Sequence, residues 1–183
     1  MIGSFQPVCE EIIIRSMRDE DIPEIQEIDR LSFAIPWPLS AYNYELHENT
    51  ASLLWVAVVR KPNHQETVVG MIVVWFIVDE AHIATLAVQP EYRGRDIAKR
   101  LLLTALNKVI QKGLRVATLE VRSNNNAAIN LYRTFGFDVE GVRPRYYRDN
   151  NEDALIMTLH DVDKNHLAQL EEKIINSAPG EKI

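Results

Sequence analysis

Apolar side chains recur along the chain with two spacings, one typical of strands and one typical of helices. Three consecutive isoleucines in residues 11–15 predict a first strand. In residues 19–33, apolar positions recur every three residues behind an acidic first turn, which predicts an amphipathic helix. The same patterns predict further strands over residues 52–60, 68–78, 82–88, 116–122, 138–147 and 154–159, and further helices over 39–47, 97–111, 125–134 and 161–176.

The order of these elements predicts the fold class. An antiparallel meander leads into a central strand, and a helix connects that strand to a parallel one. We therefore expect an α/β (α+β) fold whose mixed, mostly antiparallel sheet has a central parallel strand pair and is covered by helices. Residues 11–160 form the predicted domain, between an N-terminal tail of residues 1–10 and a helical or flexible C-terminal tail of residues 161–183. Ligands of such sheets bind where strand pairing changes, which directs attention to Val88 and Arg122.

Composition and charge narrow the functional classes. The 183 residues are 46% hydrophobic and 25% charged, as in packed globular proteins, and the net charge of -6 gives no general affinity for nucleic acid. We expect a cytoplasmic protein, because no apolar run approaches the ~20 residues of a membrane helix and the N-terminus lacks a secretory signal pattern. The single cysteine, Cys9, cannot form an internal disulfide, and the five histidines lack metal-ligand spacing, so no metal is expected.

A basic segment joins the predicted strand 82–88 to the predicted helix 97–111. Residues 93–100 hold four cationic side chains, and Gly94 permits a tight turn. Because a helix N-terminus offers unpaired backbone N–H groups and partial positive charge, the segment is suited to phosphate. A solvated basic helix start explains the same residues, and charge alone leaves RNA binding open. The glycine patterns of nucleotide hydrolysis and of dinucleotide binding are absent.

Residues 116–137 carry a more specific pattern. The spacing N-x-x-A-x-x-L-Y-x-x-x-G-F, beginning at Asn125, resembles the second CoA motif of the GNAT family of N-acetyltransferases. Residues 93–98 resemble the pyrophosphate-binding motif of the same family. The resemblance extends over residues 12–159 and implies a GNAT-type fold, with helices on both faces of the sheet and acetyl-CoA as co-substrate.

The sequence is more closely similar to the RimI-type ribosomal-protein alanine N-acetyltransferases, in residues 32–38, 119–125 and 143–157. This similarity implies transfer of an acetyl group to the α-amino group of a protein N-terminus by direct attack in a ternary complex. The expected substrate is the N-terminal alanine of a small-subunit ribosomal protein, with no nucleic-acid or membrane partner. A broad-specificity N-terminal acetyltransferase and a non-catalytic acyl-CoA-binding regulatory module are the alternatives.

One residue departs from the motif of the family. Asp96 stands where a glycine is expected, and a carboxylate beside a pyrophosphate is repulsive by about 1 kcal/mol at 4 Å in water. Its backbone N–H remains a donor if the side chain turns outward to Arg95 or Arg100. The resemblance implies that the cofactor-binding residues are Leu86, Ala87, Val88, Arg93, Gly94, Arg95, Asp96, Ile97, Ala98, Lys99, Asn125 and Tyr132.

Glu120 is the candidate general base. It lies near the end of an apolar strand, where desolvation would raise its pKa toward the working range of a base, and the RimI resemblance implies the same role. A modest base suffices, because an α-amino group has a pKa of about 7.7–8.0. The alternative is a structural ion pair with Arg122 or Arg133.

Tyr132 aligns with the proposed acid of the family, which protonates the departing sulfur. Proton transfer from a tyrosine to a thiolate is uphill by ~2 kcal/mol, so we expect hydrogen-bond stabilisation of the thiolate instead. Packing of Tyr132 against Phe135 or Phe137 is the alternative.

Asn125 is expected to contact CoA, to cap a helix, or both. The candidate walls of a peptide groove, for which core roles are the alternative, are Phe33, Trp37, Tyr146 and Tyr147.

Overall fold

The computed structural model describes residues 10–176, so residues 1–9 of the predicted N-terminal tail, with Cys9, and residues 177–183 lie outside the described part. The strands are β1 (Glu11–Ser16), β2 (Ser52–Arg60), β3 (Glu66–Ile77), β4 (Glu80–Val88), β5 (Val116–Arg122), β6 (Asp138–Tyr147) and β7 (Glu152–Leu159). The helices are α1 (Ile22–Ser32), α2 (Leu39–His47), α3 (Ile97–Gln111), α4 (Asn126–Thr134) and α5 (Lys164–Asn176). Within residues 10–176, no helix combines the length and the apolar character needed to cross a membrane.

The strands form one mixed sheet in the order β1-β2-β3-β4-β5-β7-β6. Every neighbouring pair is antiparallel except β4 and β5, which run parallel at the centre of the sheet. The helix α3 connects the two parallel strands. The predicted fold class is therefore confirmed.

Three helix starts differ from the prediction for local chemical reasons. The helix α4 begins at Asn126, one residue later than predicted, because Asn125 caps it. The first helix begins at Ile22 behind a short 3-10 turn, and Pro23 lies in its first turn, where the missing N–H of proline costs no hydrogen bond. The last helix begins at Lys164 rather than at residue 161. There, the Asp163 carboxylate accepts a hydrogen bond from the backbone N–H of Asn165 at 2.6 Å and so caps the helix.

Helices cover both faces of the sheet. The helices α3, α4 and α5 pack over one face, and α1 and α2 pack over the other. The apolar side of α5 is part of the larger core, since Leu167, Leu170 and Ile174 are buried. The acidic side of α5 faces solvent, as expected from its composition. The domain boundary at residue 160 stays a prediction.

The parallel strands separate before they end. Pairing between β4 and β5 runs only from Glu80–Val116 to Ile83–Leu119. Beyond that point β4 continues along β3 as far as Val88, while β5 continues along β7. The last residues of β4 therefore have backbone groups with no strand partner on the side of β5, and a slot opens between the two strand ends.

Candidate active site

A cavity of about 420 Å³ lies at the separated strand ends. Its wall combines the end of β4, the turn into α3, the start of α4 and the end of α1. All the predicted cofactor-binding residues except Arg95 belong to this wall. The lining residues are Ser32, Phe33, 86–88, 92–94, 96–99, Asn125, 127–128, Leu131 and Tyr132.

The turn into α3 forms a cradle of backbone donors. Gly94 and Asp96 both adopt left-handed conformations, with φ of 78° and 56°, which fold the chain sharply into the helix. The first hydrogen bond across this helix start joins the Arg100 N–H to the Asp96 carbonyl at 3.0 Å. The N–H groups of residues 97–99 thus precede the hydrogen-bonded part of the helix and lie at the cavity wall, a geometry suited to a pyrophosphate.

The side chain of Asp96 pairs with a lysine that the sequence did not single out. Its Oδ1 lies 2.7 Å from Lys99 Nζ, three residues along α3, and the expected contact with Arg95 or Arg100 stays a prediction. The spacing of three residues places both side chains on one helix face. The left-handed backbone at Asp96 is also one that glycine adopts without strain, which gives a conformational reason for glycine at this place in the motif.

The two arginines of the turn have different roles. Arg93 ties the turn to its surroundings, because its Nε donates to the Val88 carbonyl at 3.0 Å and its Nη2 donates to Ser32 Oγ at 3.3 Å. Arg95 lies outside the cavity wall. Its guanidinium stacks over the Tyr92 ring at 4.9 Å and pairs with Glu10 at 3.3 Å, so a contact between Arg95 and cofactor stays a prediction.

Asn125 and Tyr132 come to the cavity from α4. The Asn125 side chain caps that helix by accepting a hydrogen bond from the Ala128 N–H at 3.1 Å, and the residue also lines the cavity. Tyr132 is buried and packs against Phe137, with the ring centroids 5.7 Å apart. Burial raises the pKa of Tyr132 above its ordinary value, and the nearby Tyr147 adds to the effect. Proton donation by Tyr132 is therefore harder than for an ordinary tyrosine.

Glu120 is the first residue of β5 beyond the last pair with β4. Its side chain is only 14% exposed, and two groups hold it: Oε2 lies 3.2 Å from His82 Nε2, and Oε1 lies 3.0 Å from Arg143 Nη1. The alternative prediction for Glu120, a structural ion pair with Arg122 or Arg133, was wrong about the partners. Arg122 pairs instead with Asp149 in the turn between β6 and β7, at 2.8 Å, and with Glu152 at the start of β7, at 3.1 Å.

His82 is a site residue that motif and spacing did not indicate. It lies on β4 opposite Thr118, so its side chain reaches the same face of the sheet as Glu120, two residues further along β5. Its Nδ1 is 3.1 Å from Thr118 Oγ1, and its ring stacks on Trp75 at 5.6 Å. Only the strand register could have signalled this contact, since the histidines had been considered only as metal ligands.

Three of the four candidate groove aromatics are linked to the groups around Glu120. Trp37 stacks on Trp75 at 6.1 Å, and Trp75 stacks on His82. Trp37 also packs against the smaller core, as its alternative role predicted, and its place in a peptide groove stays a prediction. From the other side, Tyr146 lies under the Arg143 guanidinium at 5.5 Å and meets Tyr147 edge-on at 5.2 Å.

Tyr147 links Tyr132, which lines the cavity, to Glu120. Its hydroxyl interacts electrostatically with the Tyr132 hydroxyl and with the Glu120 carboxylate, and burial raises the pKa of Tyr147 to about 12. The Arg122 guanidinium lies 3.9 Å over its ring and fixes it from the opposite face. Phe33, the fourth aromatic, lines the cavity itself and is 37% exposed.

Comparison with known proteins places this geometry in a family. Residues 22–137 match the model of the acetyltransferase (GNAT) family. A provisionally named ribosomal protein bS18-alanine N-acetyltransferase of Bacillus subtilis strain 168 is 39% identical over 144 residues, which cover 79% of this chain and 92% of the relative. The [ribosomal protein bS18]-alanine N-acetyltransferase of Escherichia coli K12 is 31% identical over 152 residues, which cover 80% of this chain and 95% of the relative.

The fold is similar to a solved structure as well. The crystal structure of the ribosomal-protein-S18-alanine N-acetyltransferase from Escherichia coli has a TM-score of 0.72 and 26% identity, and the match covers 84% of this chain and 96% of that one. The family match spans the turn into α3, Glu120, Asn125 and the α4 residues of the cavity wall. This chain belongs to the GNAT family of acetyltransferases.

Proposed function

We propose that the protein transfers the acetyl group of acetyl-CoA to the α-amino group of the N-terminal alanine of ribosomal protein bS18. The names of the relatives from Bacillus subtilis and Escherichia coli motivate the substrate. The structural observation that carries the reaction is the slot between β4 and β5: Glu120 is the first residue of β5 beyond the pairing, and residues 86–88 of β4 line the cavity. Tyr147 interacts electrostatically with both Glu120 and Tyr132, and Tyr132 also lines the cavity, so the candidate base is linked to the cavity wall.

The residues of the slot fit acetyl-CoA. The backbone of residues 86–88 lacks a strand partner on one side, so it offers hydrogen bonds to the amides of a pantetheine arm, as an edge strand does to a peptide. The N–H groups of residues 97–99, with Arg93 and Lys99 nearby, suit the pyrophosphate. Acetyl-CoA bound there supplies an activated thioester, and no step requires a metal.

Glu120 acts as the base in this proposal. The α-amine nitrogen attacks the thioester carbonyl, a C–N bond forms, the C–S bond breaks, and the proton from nitrogen passes to Glu120. Freeing an α-amine of its proton at pH 7 costs about 1 kcal/mol, against nearly 5 for a lysine, so a carboxylate is an adequate base for a protein N-terminus. His82 fixes the orientation of the carboxylate through its contact with Oε2.

Tyr132 stabilises the departing sulfur by hydrogen bonding. Its raised pKa makes full proton transfer to a thiolate costly, whereas a hydrogen bond to the developing charge needs no transfer. The proton accepted by Glu120 reaches the thiolate later, through solvent. The groove aromatics Trp37, Tyr146 and Tyr147 form the walls that guide the peptide to Glu120.

A thiol-release assay tests the function. The protein is incubated with acetyl-CoA and a peptide that copies the bS18 N-terminus, with matched peptides that differ only in the first residue, and with an N-acetylated control. We expect release of free thiol with the alanine peptide and none with the control. Turnover of many first residues at equal rates would contradict the alanine preference, and acetyl-CoA binding without turnover of any peptide would contradict the enzyme itself.

A further inference from the structure

The two partners of Glu120 differ in how firmly they are held. His82 is 20% exposed in its side chain, contacts Thr118 and stacks on Trp75. The Arg143 side chain is 52% exposed and rests on the face of Tyr146. The carboxylate therefore has one partner fixed by the sheet and one partner that stands at the solvent side.

Arg143 also comes from an irregular part of the sheet. It lies on β6, the edge strand, and reaches Glu120 across the intervening strand β7. The pairing of β6 with β7 shifts its register between Arg143 and Tyr147, and Arg145 has a left-handed backbone with φ of 52°. Arg143 itself is paired with Ala154, at the last regular position before this break.

The position of Arg143 matters because of the charge of the substrate. An α-amine with a pKa of about 7.7–8.0 is mostly an ammonium ion at pH 7. A sheltered carboxylate with no other partner attracts an ammonium ion strongly, but that ion has no lone pair and cannot attack a thioester. A permanently charged guanidinium on the same carboxylate opposes this unreactive ion pair.

We propose that Arg143 is a positioning residue, the counter-ion that keeps Glu120 from binding the substrate as an ammonium ion, so that the α-amine docks in its neutral, nucleophilic form. This inference rests on the proposed function and deepens it by naming the protonation state that the site accepts. The other groups near Glu120 are His82 on β4, Tyr147 on β6, and Arg122 on β5, whose charge is taken up by Asp149 and Glu152.

Peptide binding as a function of pH tests the proposal. Calorimetry with CoA present and no acetyl donor measures the affinity of an alanine peptide, and of its N-acetylated copy, from pH 7 to 9. For the wild type, affinity for the free-amine peptide should rise about sevenfold over this range as the neutral fraction of the amine rises. The Arg143→Gln variant should bind the peptide in its ammonium form about tenfold more tightly than the wild type does at pH 7. Its affinity for the free-amine peptide should fall as the pH rises.

Two controls separate this role from a structural one. The N-acetylated peptide carries no amine charge, so its affinity should be equal in the wild type and in Arg143→Gln at every pH. Arg148→Gln removes the same charge from an exposed residue of the adjacent turn and should keep the wild-type pH profile. Equal pH slopes in Arg143→Gln and the wild type, or an equal loss of affinity for both peptides, would overturn the proposal.

The same variant gives a kinetic readout. Arg143→Gln should lower KM for the peptide at pH 7 and also lower kcat, because more of the bound substrate is the unreactive ammonium ion. An unchanged KM with a reduced kcat would count against the proposal. Turnover of the alanine peptide by the wild type tests the proposed function separately, so the failure of either one is distinguishable from failure of the other.

Discussion

The Asp96 carboxylate and the Lys99 ammonium face each other at 2.7 Å across the first turn of α3, at the mouth of the pyrophosphate cradle. The pair offsets the positive charge of Lys99, a residue of the cavity wall. It also places a carboxylate in the turn where the proposal seats the pyrophosphate, on a residue whose backbone is left-handed. The turn is therefore less favourable for an anion than its shape alone suggests.

Asp96→Gly should tighten acetyl-CoA binding several-fold, by about 1 kcal/mol, because it removes the carboxylate, releases Lys99 and suits the left-handed backbone. Isothermal calorimetry measures the change. Asp96→Asn removes the charge but keeps a residue that tolerates this conformation, so it isolates the electrostatic part. Unchanged or weaker binding in both variants would show that the carboxylate does not oppose the ligand.

Glu120→Gln should lower kcat by about 100-fold or more, in the range found for loss of a general base, while the affinity for acetyl-CoA stays the same. The amide keeps the shape and part of the contact with His82 and Arg143, so the fold should persist. Steady-state kinetics with the alanine peptide and a calorimetric titration of acetyl-CoA provide the two readouts. A kcat within a few-fold of the wild type would rule out Glu120 as the base.

Tyr132→Phe should lower kcat by ~10–100-fold with little change in KM for acetyl-CoA, because it removes a hydrogen bond to the departing sulfur. The ring contact with Phe137 remains, so the melting temperature should change little. Thiol release and thermal unfolding measure the two effects. A normal kcat would assign Tyr132 to packing alone.

His82→Ala should lower kcat about tenfold without changing KM for acetyl-CoA, since Glu120 then loses the contact that orients its Oε2. His160→Ala serves as the matched control, because His160 is an exposed histidine whose Nε2 lies 2.7 Å from Glu140 on β6. Equal kcat values for the two variants would show that the contact between His82 and Glu120 has no part in turnover.

Asp29→Asn should make the protein at least as stable as the wild type at pH 7, with the difference shrinking toward pH 4. Burial raises the pKa of Asp29, so ionisation of this carboxyl favours the unfolded state. Its contribution to stability is full below its unfolded pKa of about 3.9 and is lost as the pH rises through the folded value. Urea unfolding at several pH values measures the difference.

A lower stability of Asp29→Asn at neutral pH would show that the hydrogen bond from the Trp37 N–H to Asp29, at 2.6 Å, depends on the charge. That bond fixes the loop between α1 and α2, from which Trp37 reaches Trp75. The same variant should therefore also report on the groove, through the KM for the peptide. The asparagine oxygen can still accept this bond, so we expect KM to stay within a few-fold of the wild type.

Most of the cavity wall was predicted from two short motifs that resemble those of the family, although Ser32 and Tyr92 were not. The residues of the turn into α3 and of α4 are close together in the chain, and their spacing alone places them at helix starts. The strands and helices were also predicted with small boundary errors, because alternating and three-residue spacings respond directly to burial on a sheet or helix face. Pairing within a helix was less certain, since the contact between Asp96 and Lys99 was not predicted.

The contacts of Glu120 could not be predicted in this way. His82 and Arg143 belong to β4 and β6, and they meet Glu120 only because of the strand order and the register shifts of β6. No local spacing encodes such a register, since it depends on how three distant segments align. Trp75 was missed for the same reason, because its rings meet Trp37 and His82 across separate elements.

The pairing of β4 with β5 ends early, at the pair Ile83–Leu119, and this has a mechanical consequence. Beyond this pair, β4 stays hydrogen-bonded to β3, and β5 stays hydrogen-bonded to β7. The gap between them is therefore kept open by the pairing of the sheet itself and needs no hinge. In the proposed complex, the pantetheine arm of acetyl-CoA takes the place of the backbone partners that β4 lacks on this side. On this proposal the substrate itself supplies hydrogen bonds that no strand of the protein makes there.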